Sequence, residues 1–215
     1  MIGFLTEEIV AALDAHFGLD LVVSQMTTYW IEDNLKPDQE KWLVAQFNRP
    51  VFYSNVAPDY SAIAALDAIH KGGYEIIVSS DRPTNCRDAT IDWLVKWRVA
   101  YTELILLGKG GKLSIARKHG PDDPLILIDD DPKKMKTVPA PGVQVWAPQR
   151  PWTPLDWKKY EGVWVFKTWA EVLERLGLPT QVTIPQFSRW AGPAQESPDS
   201  GIPDAEKLLS TLLAR

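Results

Sequence analysis

Four short runs rich in apolar residues, each ended by residues that stop a strand, constrain the fold more than any other feature of the sequence. The runs cover residues 74–79, 104–107, 125–128 and 143–146, and segments with a helical spacing of apolar residues lie between them. Strands that are apolar along most of their length, rather than at alternate positions, are typical of a parallel sheet covered by helices on both faces. The sequence therefore predicts an α/β protein with a Rossmann-like parallel sheet.

Helical spacing and stop signals predict how the rest of the chain is organised. Helices are predicted over residues 7–17, 38–47, 59–71, 87–97, 112–119 and 167–177, with Thr6 as the N-cap of the first. Three parts follow: an α/β core of residues 1–18 and 59–178, a small helical cap insertion of residues 19–58, and an extended tail of residues 179–215. The tail is rich in Pro, Ser, Gly and Gln, and a short terminal helix is expected over residues 205–213.

Composition narrows the class of protein. The net charge of −5 argues against extensive nucleic-acid binding, because a general polyanion binder is usually basic. No apolar run approaches the ~20 residues of a membrane span. The single cysteine, Cys86, indicates a reducing compartment, so a cytoplasmic protein is expected; a catalytic role for this thiol is disfavoured because no His lies near it in sequence. A homodimer is left open.

The end of the first predicted strand carries the sequence Ser79-Ser80-Asp81-Arg82-Pro83. Ligands bind at the carboxyl ends of parallel strands, so polar residues at these positions are candidate site residues. The hydroxyl of Ser80 can donate a hydrogen bond to a phosphate oxygen, and Arg82 can bind one with two hydrogen bonds. A plain Ser or Asx turn is the alternative interpretation.

The second predicted strand ends in Gly108-Lys109-Gly110-Gly111-Lys112. Backbone amides and a lysine in such a loop can stabilise the charge of a phosphoryl group. The segment is not a P-loop, because Leu113 stands where that motif needs Ser or Thr. By itself it is better interpreted as a solvated glycine loop.

The third predicted strand ends in Asp129-Asp130-Asp131-Pro132, which is the most specific local signal in the chain. Adjacent carboxylates after a buried strand repel one another unless a cation lies among them. Mg²⁺ prefers hard oxygen ligands, often one or two carboxylates together with water and substrate phosphate. The pattern therefore predicts a Mg²⁺ site on Asp129 and Asp130, with a solvated acidic turn as the alternative.

Taken in order, these segments resemble the second, third and fourth motifs of the haloacid dehalogenase (HAD) superfamily. The stretch from Ser80 to Pro83, followed by Arg87, Thr90, Trp93 and Leu94, is similar to that of phage and bacterial 5′-nucleotidase-like members and of the phosphatase domain of polynucleotide kinase. Lys112 with Ile115 resembles the third motif, and Asp129-Asp130-Asp131-Pro132 the fourth. Residues 143–146, followed by Arg150-Pro151-Trp152, resemble the segment where these proteins end their last strand.

The resemblance implies a phosphohydrolase that works through an aspartyl-phosphate intermediate on a small phosphorylated substrate, such as a nucleotide. It implies catalytic roles for Ser80, which binds the phosphoryl group, and Lys112, which neutralises charge. It implies substrate contacts from Ser80, Asp81, Arg82 and Lys109, and a Mg²⁺ held by Asp129 and Asp130.

The sequence departs from the family at its first motif, D-x-D-G-x-[TV], whose first aspartate is the nucleophile. Only Met1 to Leu5 precede the first predicted helix, and neither Asp14 nor Asp20 stands in a suitable place. Two expectations follow from this departure. Either an upstream segment supplies the motif, or the protein has lost catalysis and keeps the pocket to bind phosphate, a nucleotide or a partner.

The sequence also bears on the role of the aromatic residues in the cap and on two other protein classes. The aromatic residues of the predicted cap either stack on a base or form the cap's own core, and the second is favoured; they are Tyr29, Trp30, Trp42, Phe47 and Tyr53. A polynucleotide end phosphatase is disfavoured by the acidic balance of the chain. A receiver domain is excluded by the order of its acidic pair and lysine along the chain.

Overall fold

The described part of the chain is rich in short helices. The computed structural model describes residues 3, 5–29, 31–107, 115, 124–137 and 141–182. Its α-helices are α1 (Leu5–Phe17), α2 (Pro37–Phe47), α3 (Pro50–Ser54), α4 (Tyr60–Lys71), α5 (Arg87–Lys96), α6 (Pro132–Thr137) and α7 (Trp169–Arg175). The chain divides into residues 1–184 and 185–215. The second unit lies outside the described residues, as do the predicted terminal helix and nearly all of the helix predicted over 112–119.

Helix α4 shows how local sequence sets the helix boundaries. Asp59 is its N-cap, because one carboxylate oxygen accepts hydrogen bonds from the amides of Ser61 and Ala62 at 3.0 and 3.1 Å. At the other end Gly73 adopts a φ of +90°, which a glycine reaches without steric cost. The Thr6 cap predicted for α1 is wrong, since that helix already begins at Leu5.

The strands are all parallel to their neighbours. They are β1 (Ile77–Ser80), β2 (Glu103–Leu106), β3 (Leu125–Ile128), β4 (Val143–Pro148) and β5 (Val163–Phe166). Among the described residues, β1 pairs with β2 in one sheet, and β3, β4 and β5 pair in that order in a second. The chain is thus an α/β protein with parallel strands in two small sheets, which confirms the predicted fold class at this level.

Apart from the exposed Gln144, strands β3, β4 and β5 carry apolar residues on both faces of their sheet, which explains why they show no regular polar alternation. Ile126, Ile128, Trp146 and Phe166 belong to a core cluster that also contains residues of α4, α5 and α7. The residues between them, such as Leu127 and Val145, pack in a second cluster with Met135 of α6. Helices therefore cover both faces, as expected for a parallel sheet.

Two elements near the end of the core were not predicted. Strand β5 has the sequence Val163-Trp164-Val165-Phe166, an apolar run directly after Gly162, so its signal was present in the sequence. It corrects the expectation that residues 143–146 form the last strand. Helix α6 has only six residues and begins at Pro132, so the sequence there was interpreted as a metal-binding loop alone.

The insertion of residues 19–58 folds around its own apolar cluster. Helix α1 contributes Ile9, Val10 and Leu13, and the insertion contributes Ile31 and Leu43, all of them buried. The predicted helix of residues 38–47 is confirmed as α2. Because α1 shares this cluster, the insertion is anchored to the helix that precedes it.

Candidate functional site

Two strand ends that the sequence singles out lie close to each other. Ser80 is the last residue of β1, and Asp129, Asp130 and Asp131 directly follow β3. The negative charge of Asp81, just after β1, helps to raise the pKa of Lys134 in α6, as do Asp129 and Asp131. Asp81 therefore lies within electrostatic range of the charged residues that follow β3.

The three consecutive aspartates are all buried, with exposed fractions of 4%, 4% and 6%. Local hydrogen bonds explain how they are held. One oxygen of Asp129 accepts a hydrogen bond from the amide of Asp131 at 3.0 Å, and one oxygen of Asp131 accepts from the amide of Lys133 at 2.9 Å. Asp131 therefore caps the first turn of α6, and the acidic run is a well-ordered turn rather than a solvated one.

Lys134 supplies the cation that this run requires. Its ammonium nitrogen lies 3.1 Å from Oδ2 of Asp129 and 3.3 Å from Oδ2 of Asp131, and its side chain is only 8% exposed. Burial alone lowers the pKa of a lysine, but here Asp129 and Asp131 outweigh burial and raise it. Sequence reasoning missed this residue; the signal was its position three residues after the N-cap Asp131.

Asp130 differs from its two neighbours. Its Oδ2 atom is buried and has no hydrogen-bond partner among the described residues, whereas its backbone carbonyl accepts a 3.2 Å hydrogen bond from the indole of Trp152. Burial raises the pKa of Asp130, the charge of Asp129 raises it further, and the guanidinium of Arg150 acts in the opposite direction. A buried carboxylate oxygen with no partner is rare in folded proteins and calls for an explanation such as a bound ion.

The insertion reaches this site through Tyr29. Burial raises the pKa of the Tyr29 hydroxyl, and the next causes in order of size are the charges of Asp130, Asp129, Asp131 and Asp81. The ring of Tyr29 also meets Trp152 edge-on, with 6.2 Å between the ring centroids. Tyr29 therefore lies near the carboxylates and packs against Trp152, whose indole is hydrogen-bonded to Asp130.

The other aromatic residues of the insertion mostly form its core, as favoured from the sequence. Trp42 stacks on His16 of α1 at 4.5 Å between centroids, and Phe47 packs edge-on against Phe52. Tyr53 is buried, and its hydroxyl donates a hydrogen bond to the carbonyl of Phe47 at 2.9 Å. Trp30 lies outside the described residues. Tyr29 is thus the described aromatic side chain of the insertion that faces the acidic cluster.

The polar residues after β1 have partners of their own. The hydroxyl oxygen of Ser80 accepts a 3.3 Å hydrogen bond from the amide of Arg82, which leaves its proton available to donate. The guanidinium of Arg82 donates to the hydroxyl of Thr90 in α5 at 3.1 Å and lies 4.2 Å from the centre of the Tyr53 ring. Burial lowers the pKa of Arg82 and raises that of Tyr53 to about 12. Arg82 thus joins the end of β1 to α5 and to the insertion.

Of three other candidate residues, the structure describes only Cys86. Lys109 and Lys112 lie outside the described residues, so their roles stay predictions. Cys86 is fully buried beside α3 and α5, and burial raises the pKa of its thiol. A buried thiol with a raised pKa is a poor nucleophile, which supports the structural interpretation of Cys86.

Comparison with known proteins adds no identification. The chain matches no protein-family model, and no curated protein matches it. A search of the described helices found none that has both the length and the apolar character to cross a membrane.

Proposed function

We propose that this protein is a Mg²⁺-dependent phosphohydrolase of the HAD type, acting on a nucleoside monophosphate or a similar small phosphomonoester. The observation that carries the proposal is the Oδ2 atom of Asp130, a buried carboxylate oxygen at the end of a parallel strand that has no hydrogen-bond partner among the described residues. A hard divalent cation is the kind of ligand that such an atom fits. Asp130 and Asp129 would hold this ion, which would supply positive charge to the phosphoryl oxygens of the substrate.

The chain's own residues would bind and orient the substrate. The hydroxyl of Ser80 would donate to a phosphoryl oxygen, since its oxygen already accepts from the amide of Arg82. Lys112 would neutralise charge as the phosphoryl group is transferred, and Asp81, Arg82 and Lys109 would contact the substrate. Tyr29 and Trp152, whose rings pack edge-on, would lie over the site and limit the access of water.

The attacking carboxylate would come from a further strand. Strands β1 and β3 are each at the edge of their sheet among the described strands, and the charge of Asp81 after β1 acts on Lys134 in the helix that follows β3. A parallel strand placed between these two edges would deliver its last residues beside Asp130. An aspartate there would attack phosphorus, release the alcohol and form an aspartyl-phosphate that water then hydrolyses.

One observation favours a second candidate, a phosphate- or nucleotide-binding protein without catalysis. Lys134 already neutralises Asp129 and Asp131, so the cluster is held together without a metal ion. A protein that only binds its ligand would have no need of a catalytic ion at this position. The tail of residues 179–215 would then serve a partner.

Phosphate release separates the two candidates. The substrates are nucleoside monophosphates and p-nitrophenyl phosphate with Mg²⁺, and this chain is compared with a form extended by the codons upstream of Met1. The hydrolase proposal expects activity in the extended form, loss of at least about 100-fold in its Asp130→Asn variant, and full activity in the exposed control Asp67→Asn. If neither form releases phosphate while a nucleotide raises the melting temperature, the binding protein is the better account.

A further inference from the structure

The ammonium group of Lys134 lies where an ion shared by Asp129 and Asp131 would be expected. It is within 3.1 and 3.3 Å of one oxygen from each carboxylate, and all three side chains are at most 9% exposed. Buried charges at such distances attract each other strongly, because little water screens them. The lysine is therefore an integral part of the cluster and not a surface residue that happens to lie near it.

The carboxylate oxygens of the three aspartates differ in whether they have a hydrogen-bond or ion-pair partner. Asp131 gives one oxygen to the amide of Lys133 and the other to Lys134. Asp129 gives one oxygen to the amide of Asp131 and the other to Lys134. Asp130 keeps an oxygen that has no partner among the described residues. A divalent ion that approaches Asp130 would thus meet an Asp129 whose Oδ2 already holds a cation.

We propose that Lys134 competes with a divalent metal ion for Asp129 and thereby sets the metal affinity of this site. The inference rests on the proposed metal-dependent function and names a determinant of its ion binding. Binding of Mg²⁺ to both Asp129 and Asp130 requires the ammonium to leave Oδ2 of Asp129. The free energy of breaking that buried ion pair is subtracted from the binding free energy, so wild-type protein binds the ion more weakly than its carboxylates alone allow.

Competition by Lys134 predicts a change in ion affinity even between two proteins whose acidic clusters have the same net charge. Lys134→Met removes the competing ammonium and keeps a side chain of similar length. Asp131→Asn weakens the hold on Lys134, and an asparagine still accepts the hydrogen bond that caps α6. The double variant Asp131→Asn/Lys134→Met removes one negative and one positive charge, so the cluster keeps its net charge and loses only the ammonium. If Lys134 competes with the ion, this double variant binds it more tightly than wild type.

Isothermal titration of the chelator-treated full chain with Mg²⁺ and with Mn²⁺ tests this, using wild type, the two single variants and the double variant. We expect the double variant to bind both ions about 5- to 150-fold more tightly than wild type, the range usual for two coupled binding events. Asp131→Asn alone should bind no more tightly than wild type, because Lys134 keeps its ion pair with Asp129 and the cluster has lost a negative charge. The exposed control Lys136→Met should bind as wild type does.

A second readout guards against misfolding, because Lys134→Met leaves two buried carboxylates without their cation. The melting temperature of each protein is measured with and without the ion, and the rise on adding it should be largest for the variants that lack Lys134. If wild type and the double variant bind the ion equally well, the competition is refuted while the metal site stands. If none of the four proteins binds either ion, the proposed metal-dependent function fails as well.

Discussion

The residues after β1 and the residues after β3 lie within electrostatic range of one another but are stabilised in different ways. After β1, the guanidinium of Arg82 is held by a hydrogen bond to Thr90 and a ring contact with Tyr53. After β3, Asp130 has a buried oxygen with no partner among the described residues. A fold seldom leaves such an atom without a partner unless function requires it. The comparison gives Arg82 a structural role beside its proposed substrate contact, and it makes Asp130 the position where the described contacts leave most room for a ligand.

Replacing Arg82 by methionine removes the contacts that hold the residues after β1. It has the largest expected effect on the free energy of unfolding. The variant loses a hydrogen bond from a charged group and a desolvated cation–π contact, so we expect the free energy of unfolding to fall by about 2 to 3 kcal/mol. Urea denaturation measures this change.

A double-mutant cycle with Thr90→Val attributes the loss to the proposed contact. The coupling between the two positions should be about 1 kcal/mol or more, because the guanidinium and the hydroxyl are direct partners. If Arg82→Met changes the free energy of unfolding by less than about 0.5 kcal/mol, as a surface substitution does, the structural role assigned to Arg82 is wrong.

Replacing Asp130 by asparagine tests the buried carboxylate after β3. Its effect on the free energy of unfolding should be smaller than that of Arg82→Met and opposite in sign. The amide removes a buried negative charge whose Oδ2 has no hydrogen-bond partner in the described part of the chain, and the hydrogen bond from Trp152 is kept because it goes to the backbone. We expect the free energy of unfolding to rise by about 1 kcal/mol in the presence of a chelator. Urea denaturation of both proteins measures it.

Asp131→Asn is the matched control for this substitution. Both oxygens of Asp131 have partners, one in Lys133 and one in Lys134, so the same chemical change should lower stability there. Equal losses in the two variants would mean that Asp130 is as well satisfied as its neighbour, and the contrast between the two strand ends would disappear.

The sequence predicts much of the fold because strong local signals set it. The runs at 104–107, 125–128 and 143–146 became β2, β3 and β4 with small shifts, and Asp59 and Gly73 bound α4 as expected. The run at 74–79 was placed too early, since Tyr74 and Glu75 are exposed and β1 begins at Ile77. Boundaries moved because pairing with a neighbouring strand, and not local propensity, decides where a strand starts.

The site could be predicted only in part, because some of its contacts join distant parts of the chain. The acidic run after β3 was recognised from its sequence. The sequence predicts Mg²⁺ as the cation among these carboxylates, and it does not reveal that Lys134, on a six-residue helix, lies beside Asp129 and Asp131. The approach of Tyr29 to these carboxylates spans about 100 residues of sequence, and no periodicity or motif encodes it.

Cys86 tests how tightly the residues around Arg82 and Thr90, after β1, are packed. Its expected effect on the free energy of unfolding is the smallest of the substitutions considered. Burial raises the pKa of its thiol in the folded protein above the ordinary value of 9.0. The folded state therefore keeps its proton where the unfolded state loses it, so the contribution of Cys86 to stability is complete below pH 9.0 and falls as the pH rises through the folded pKa.

Denaturation of wild type and Cys86→Ala from pH 7 to about 10 measures this contribution, since groups common to both proteins, such as Tyr53, cancel in the difference. We expect the stability advantage of wild type to shrink above pH 9.0; an advantage that stays constant would mean that the thiol is open to water, and that the fold around Arg82 and Thr90 is looser than its contacts indicate.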